Sequence, residues 1–254
     1  RDIWGDQPWL SSLLQGYARN KVSGMELSNS VNYLSSTYGD AFADVYDDWY
    51  QQVTDVQGTV SLISRLSQGL DVLELGVGTG RLALPIASTG IPTTGVDSSP
   101  EMLRRLRARD SSGVVKLHLA NMSNWLPPGP FKIIFCAYNT FFNLVDPAEQ
   151  EQCLQLVSNR LAPDGLFIVE AFVPSNYSLL PTRGVEFRYL KDATVFNITI
   201  REKVSGIVRG QSVELNESGA VLRPWRILIK TPDELDQIAA RQGLKLMERW
   251  QDWQ

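Results

Sequence analysis

One stretch limits the folds open to this chain more than any other. In Val72-Leu-Glu-Leu-Gly-Val-Gly-Thr-Gly-Arg81 a short apolar run meets glycines at 76, 78 and 80. The run has the length of a buried strand, and the residues after it, about 80–89, have helical spacing. Glycine permits positive φ and lets backbone approach a ligand closely, while a helix start offers free N–H groups. Strand, glycine turn and helix in that order suit a nucleotide-like ligand. The spacing is G-x-G-x-G, different from the G-x-G-x-x-G of dinucleotide folds, and Glu74 lies two residues before the first glycine. A carboxylate there favours a ligand carrying positive charge over a pyrophosphate.

The rest of the chain fits around that unit. Further strands are expected near 92–96, 114–119, 131–137 and 165–173, with helices over about 99–109 and 147–162, the last closing at Ala162-Pro-Asp-Gly165. This α/β alternation predicts a doubly wound, mostly parallel, Rossmann-like sheet. Between about 183 and 230 the rhythm breaks. Short strand-like runs at 185–190, 194–200, 204–208, 213–215 and 226–229 follow one another without helices, which predicts an antiparallel insertion. Thr231-Pro-Asp-Glu then opens a helix that runs to Arg241 and stops at Gly243, and Leu244 to Trp250 reads as a further strand. Upstream, Trp4, Trp9, Leu10, Leu13, Leu14 and Tyr17 have partly helical spacing, and Phe42, Val45, Tyr46 and Trp49 fall on one side of a helix. The expected organisation is an N-terminal helical cap or lid over 1–50 and a core over 51–254 that carries the insertion.

Composition excludes several classes. A chain of 254 residues, 43% hydrophobic, can bury a full core as one large domain. With 24 basic against 28 acidic residues the net charge is −4, the wrong sign for a broad phosphate-neutralising surface, so nucleic acid is not expected as a partner. A single histidine, His118, and two cysteines, Cys136 and Cys153, give no zinc ligand set and no Ser-His-Asp triad. His118 alternates with leucines in a strand and reads as structural, both cysteines read as small apolar residues, and Arg183, Arg188 and Arg226 read as solvated charges on the insertion. No apolar stretch reaches the roughly 18 residues that span a bilayer, and no secretory signal opens the chain, so no membrane partner and a cytoplasmic location are expected. The start at Arg1 and the finish at Gln251-Asp-Trp-Gln254 read as trimmed ends.

Two further strand ends converge on the glycine turn. Gly95-Val-Asp97 places an acid, with Ser98 beside it, where a carboxylate can accept both hydroxyls of a ribose. In Leu119-Ala-Asn-Met-Ser123, Asn121 is suited to an adenine edge and Met122 to an apolar lid with a backbone N–H. With Leu161-Ala-Pro-Asp-Gly-Leu166 and Thr94-Gly-Val-Asp-Ser-Ser-Pro-Glu-Met-Leu103, these motifs make residues 41–250 resemble the class I S-adenosylmethionine-dependent methyltransferases. The resemblance implies S-adenosyl-L-methionine as cofactor, S-adenosyl-L-homocysteine as product and no metal. It assigns Glu74, Gly76, Gly78 and Gly80 to the methionine portion, Asp97 and Ser98 to the ribose, and Asn121 and Met122 to the adenine. Asn121 stands where the family usually has Asp.

Phe42 to Tyr50 and the insertion resemble the small-molecule branch that includes amino-sugar N-methyltransferases. That branch implies that Tyr46 faces the site from a closing helix, and Asn143 occupies a position where those enzymes often carry histidine. Glu170, in the apolar run Phe167-Ile-Val-Glu-Ala-Phe172, needs either a partner or a raised pKa and is a candidate base beside Tyr46 and Asn143. Tyr50, Tyr138, Asn139, Phe142 and Trp225 are candidates for the acceptor pocket. The expected activity is methyl transfer to a nitrogen or oxygen of a small molecule in secondary metabolism. Two alternatives stay open: a domain of an assembly-line protein with a carrier-tethered acceptor, and a non-catalytic cofactor-binding subunit. The family's fold finishes with an antiparallel strand beside one like Leu244–Trp250. If that strand is absent, the uncovered sheet edge makes homo-oligomerisation a further expectation.

Overall fold

The structure, a computed structural model, describes residues 33–50, 55–173, 182–190, 193–202 and 205–251. The chain divides into two compact units, residues 1–34 and 35–254, and all the described helices and strands lie in the second. The helical spacing read over residues 4–17 lies outside the described residues.

Five parallel strands form the central sheet: β1 (Val72–Leu75), β2 (Thr93–Asp97), β3 (Val115–Leu119), β4 (Phe131–Cys136) and β5 (Leu161–Val169), in the order β3-β2-β1-β4-β5. β1 and β4 are buried along their whole length, as continuous apolar runs in a sheet covered on both faces should be. Parallel neighbours require crossovers, and the sequence marks the helix starts. Ser99 caps the helix Pro100–Arg109 by accepting from the Met102 N–H, and Asp146 caps Pro147–Ser158 by accepting from Ala148. Strand order reverses between β1 and β4, which opens a crevice at their carboxyl ends, where open α/β sheets bind ligands.

The helix expected over 147–162 stops at Ser158, because Leu161 already pairs with Phe131. Pro163, Asp164 and Gly165 sit within β5 at a register shift, and Lys132 reaches across to the Asp164 carboxylate at 2.6 Å.

The antiparallel insertion is a four-stranded sheet, β6 (Arg183–Leu190), β7 (Ala193–Arg201), β8 (Ile207–Asn216) and β9 (Gly219–Leu228), paired in sequence order. Ile207 and Val208, from the run read at 204–208, and the run at 213–215 belong to the single strand β8, residue 204 lies outside the described residues, and Arg226 to Leu228 end the longer β9. Pro224 is tolerated because β9 is an edge strand. In the neighbouring strand Gly210 lies opposite Trp225 and makes room for its indole: a Cβ there would lie 1.8 Å from Cε2. After β9 the helix Pro232–Arg241 begins with the expected Thr231 cap, closed reciprocally by Glu234.

Residues 244–250 form no strand. A strand needs a ladder partner, and none of the described strands pairs with this segment. Leu246, Met247 and Trp250 are exposed as a result.

The single aromatic helix expected over 41–50 is two short ones, α1 (Thr37–Phe42) and α2 (Tyr46–Trp49). Arg223 of β9 explains the break, since it donates to the Ala41 carbonyl and to both oxygens of Asp44. Phe42 and Trp49 still pack together, against Val195 of β7. Arg223 is 4% exposed, also pairs with Glu214 at 2.7 Å, and lies 5.4 Å from the Trp49 ring. Burial pushes the Asp44 carboxyl up, but Arg223 outweighs it and holds it below the usual range. Among the described residues no helix is long and apolar enough to cross a membrane.

Removing one partner of a buried pair strands the others. Arg223→Met is expected to cost about 3–5 kcal/mol, read from the urea midpoint. Arg241→Met, which deletes an exposed pair with Glu151, should cost under about 1 kcal/mol.

Candidate active site

The crevice is built around two carboxylates, Glu74 buried and Asp97 partly buried. Asp97, at the end of β2, accepts from the Gly78 N–H through one oxygen and from the Ser99 N–H through the other, both at 2.8 Å. One side chain thus ties the glycine turn to the start of the next helix. Burial raises its pKa to about 6, with the Asp40 charge adding to the effect against the two backbone donors. Glu74, in the middle of β1, is 4% exposed, and its Oε2 has no hydrogen-bond partner. Burial pushes its pKa well above the usual range, opposed by Arg81 and reinforced by Asp97. A raised acid pKa favours the folded state below the unfolded value. Asp97 therefore stabilises the ligand-free protein fully below about pH 4 and loses that contribution as pH rises through about 6.

Gly76, Gly78 and Gly80 all have positive φ, at 70°, 55° and 81°. The three positions differ in surroundings. A Cβ on Gly76 would lie 2.2 Å from Thr140 Cγ2, and one on Gly80 would strike Leu106, whereas the nearest atom to one on Gly78 is 3.9 Å away. Gly78 is thus required by backbone conformation alone. The following helix begins only at Ala83.

The short helices α1 and α2 close against this turn. Thr79 donates to Asp47 at 2.6 Å, Arg109 holds the other Asp47 oxygen, and Ser99 donates to Asp40 at 2.6 Å. Arg81 donates to the Tyr50 carbonyl at 3.0 Å, with its guanidinium 5.9 Å from the Tyr46 ring centre and 5.3 Å from that of Tyr138.

Behind them lies a cavity of about 200 Å³. Tyr38, Tyr46 and Tyr50 line it from α1, α2 and the residue after α2. Tyr138, Asn139, Thr140 and Asn143 come from the turn after β4, Phe172 from beyond β5, and Asn197, Ser212, Trp225 and Ile227 from the antiparallel sheet. The 3₁₀ turn Thr140–Asn143 sorts its residues by its three-residue period. Thr140 and Asn143 face the cavity, while Phe141 and Phe142 are fully buried in the core. Burial holds the Tyr38 and Tyr46 hydroxyls above their ordinary pKa, so both stay protonated at neutral pH. Among the described residues the cavity wall carries no carboxylate and no imidazole.

Tyr138 and Asn139 both take left-handed φ, 51° and 62°, which side chains seldom adopt in succession. Glu170 holds that turn in place. Its Oε2 accepts from the Tyr138 N–H at 2.7 Å, its carbonyl accepts from the Asn139 N–H, and Asn139 Oδ1 accepts from Phe172 N–H at 2.6 Å.

The sequence-selected residues therefore fall into three groups. Glu74, the glycines and Asp97 meet at the crevice, with Ser98 beside Asp97. Tyr46, Tyr50, Tyr138, Asn139, Asn143 and Trp225 line the cavity. Glu170 and Phe142 do not line it: Glu170 has found a backbone partner, and Phe172 occupies the wall with Phe142 packed edge-on behind it at 5.8 Å. Asn121 spends its side-chain oxygen on the N–H and hydroxyl of Ser123, and Met122 is part of the core. His118 packs at a tilt against Trp125, ring centres 5.2 Å apart. Burial raises the thiol pKa of both cysteines, that of Cys153 to about 12.

Sequence reading missed Tyr38, Thr140, Asn197 and Ser212. Only the last two left a local signal, as polar residues on the inward side of strands β7 and β8. Ser212 donates to Asn197 there at 2.6 Å.

Residues 72–165 match the family model described as a methyltransferase domain. The chain is 32% identical to the solved CcbJ methyltransferase from Streptomyces caelestis, with 87% of this chain and 92% of that one covered and a TM-score of 0.80. It is 20% identical to S-adenosylmethionine-bound CalS10, an amino pentose methyltransferase from Micromonospora echinaspora involved in calicheamicin biosynthesis, over 78% and 88% of the two chains with a TM-score of 0.62. That second likeness bears on the fold alone. An uncharacterised methyltransferase of Geobacillus kaustophilus (strain HTA426) is 31% identical over 139 residues, 55% of this chain and 58% of the relative. The chain matches less than two-thirds of the length of its curated relatives.

Gly76→Ala combines a steric clash with a disfavoured φ, so it should lower stability by more than Gly78→Ala, which meets only the cost of about 1–2 kcal/mol for a left-handed residue. Thr140→Ser removes the clashing methyl and should restore part of the loss in Gly76→Ala but none in Gly78→Ala, as thermal unfolding would show.

Proposed function

Because the chain belongs to the S-adenosylmethionine-dependent methyltransferases, we propose that it methylates a nitrogen on a small polar acceptor held in the aromatic cavity. The observation that carries this reading is the Gly76–Thr140 contact. Crevice and cavity share a wall one side chain thick, so a donor in one and an acceptor in the other are within reach of each other.

The crevice fits the cofactor by its own chemistry. Glu74 offers a buried oxygen without a donor, matched to a cationic group. Asp97 keeps lone pairs for ribose hydroxyls beyond its two backbone contacts. Adenine would lie toward Met122 and Asn121, whose side-chain oxygen is held by Ser123. When bound, S-adenosylmethionine supplies an electrophilic methyl group on a cationic sulfur.

What the chain's own residues supply is position and the exclusion of water. Tyr46, Tyr50 and Tyr138 bring hydroxyls to the cavity, and Asn139 and Asn143 bring amides, a set that can orient a polar acceptor through neutral hydrogen bonds. Tyr46, with its proton firmly held, acts as a donor or acceptor of hydrogen bonds. With no carboxylate or imidazole on the described wall, a neutral amine, which attacks without prior loss of a proton, suits the cavity better than a hydroxyl. Trp225 and Phe172 offer apolar faces for the body of the acceptor.

Titration calorimetry tests the reading. S-adenosylmethionine and S-adenosylhomocysteine should bind, NAD and ATP should not, and Asp97→Ala should weaken binding by about tenfold or more, the loss of hydrogen bonds to a charged group. Binding that favours NAD or ATP would overturn it. The pH dependence has a fixed sign. Hydroxyl donors favour the ionised carboxyl, so affinity should rise with pH and level off above about 6, weakening toward tenfold per unit below that value. Asp97→Asn should remove most of this slope.

A further inference from the structure

The amides on the cavity wall have their oxygens engaged and their N–H bonds left over. Asn197 of β7 and Ser212 of β8 are direct register partners on the inward side of the antiparallel sheet, and both line the cavity. Ser212 is 3% exposed and donates its hydroxyl proton to Asn197 Oδ1 at 2.6 Å. That bond fixes which way the amide faces. Its oxygen is turned to the serine, and its nitrogen keeps two N–H bonds that meet no acceptor among the described residues. Asn139 repeats the arrangement on the turn after β4, where the Phe172 N–H takes its Oδ1 at 2.6 Å.

The neighbours of the pair supply no other partner. Arg223, next to Ser212 in the same register row, directs its Nε, Nη1 and Nη2 to Ala41, Asp44 and Glu214. Glu186 completes the row on the edge strand β6, is exposed and does not line the cavity. Two amides on separate elements, each held by its oxygen, therefore give the cavity neutral N–H donors, while among the described residues no carboxylate lines it. A ligand that displaces water from such donors without replacing the hydrogen bond binds weakly, so the wall selects for oxygen lone pairs.

Resting on the methyltransferase reading above, we propose that Asn197, held by Ser212, anchors the acceptor through an oxygen, so that the substrate class is a small neutral amine that also carries a hydroxyl, ether or carbonyl oxygen. Asn197 Nδ2 donates to that oxygen, and Asn139 Nδ2 is a second donor for an oxygenated body. Ser212 is a positioning residue, acting on the acceptor only through the amide it orients. An ammonium group finds no matching carboxylate on the described wall, which accords with binding of the amine in its neutral form.

A set of cyclic amines tests the assignment: piperidine, which has no oxygen, against 4-hydroxypiperidine, morpholine and piperidine-4-carboxamide, which bring a hydroxyl, an ether and a carbonyl oxygen. Release of S-adenosylhomocysteine gives kcat and KM, and calorimetry gives cofactor affinity. The wild type should favour at least one oxygenated amine over piperidine by about tenfold in kcat/KM, chiefly through KM, and the one favoured most identifies the kind of oxygen. Asn197→Asp keeps the side-chain shape and an oxygen for Ser212 but turns a second oxygen to the cavity. It should abolish the preference through KM and leave S-adenosylmethionine affinity unchanged, since neither residue has a hydrogen bond to the crevice. Ser212→Ala frees the amide to turn and should fall between the two, and it carries the test should Asn197→Asp fail to fold. Equal use of piperidine, a preference that survives both substitutions, or better use of the oxygenated amines by Asn197→Asp overturns the proposal and leaves the methyltransferase reading in place. So does a protein that binds S-adenosylmethionine and methylates none of the amines. A protein that does not bind S-adenosylmethionine overturns both.

Discussion

Everything at the centre of this molecule depends on two carboxylates withdrawn from water, Glu74 wholly and Asp97 in part. Burying a charged carboxyl group is costly unless donors or a counter-charge compensate. Asp97 receives two backbone N–H groups, and they are the ones that fix the glycine turn and the start of the next helix. Glu74 keeps an oxygen with no donor at all. Such an arrangement is poor for the stability of the ligand-free protein and good for binding a ligand with hydroxyls and a positive charge. The strain is lodged where function needs it, on a sheet whose apolar core supplies the compensating burial.

The acceptor side is assembled differently, from parts that have no stability without one another. α1 and α2 are too short to persist alone. They are held by Asp47 against the glycine turn, by Asp40 against Ser99 at the start of the next helix, and by Asp44 against Arg223 on the antiparallel sheet. The cavity is the space left between these elements, and its polar lining comes from all of them. The aromatic rings around Arg81 join the two halves of the site, since one guanidinium faces both Tyr46 and Tyr138 and holds the Tyr50 carbonyl.

What could be read from sequence was local. The glycine turn, Asp97 at a strand end, the Thr231 cap and the apolar runs of β1 and β4 each lie within a few residues, so spacing alone identifies them. What escaped depends on contacts across long separations. Thr140 meets Gly76, Arg223 breaks the helix at Ala41, and Glu170 captures the Tyr138 N–H. None of these leaves a periodic trace. The exchange of Phe142 for Phe172 at the cavity wall is a matter of which side of a 3₁₀ turn faces inward. The strand read at Leu244–Trp250 had suitable composition and no partner, and composition alone does not make a ladder.

A crystal structure with S-adenosylhomocysteine is the decisive measurement. Both ribose hydroxyls should lie within hydrogen-bond distance of Asp97, with a positively charged group of the ligand near Glu74 and the sulfur directed past Thr140 toward the cavity lined by Tyr46 and Asn143. A nucleoside bound elsewhere, or a sulfur turned away from that cavity, would contradict the proposed division of the site into a cofactor crevice and an acceptor cavity.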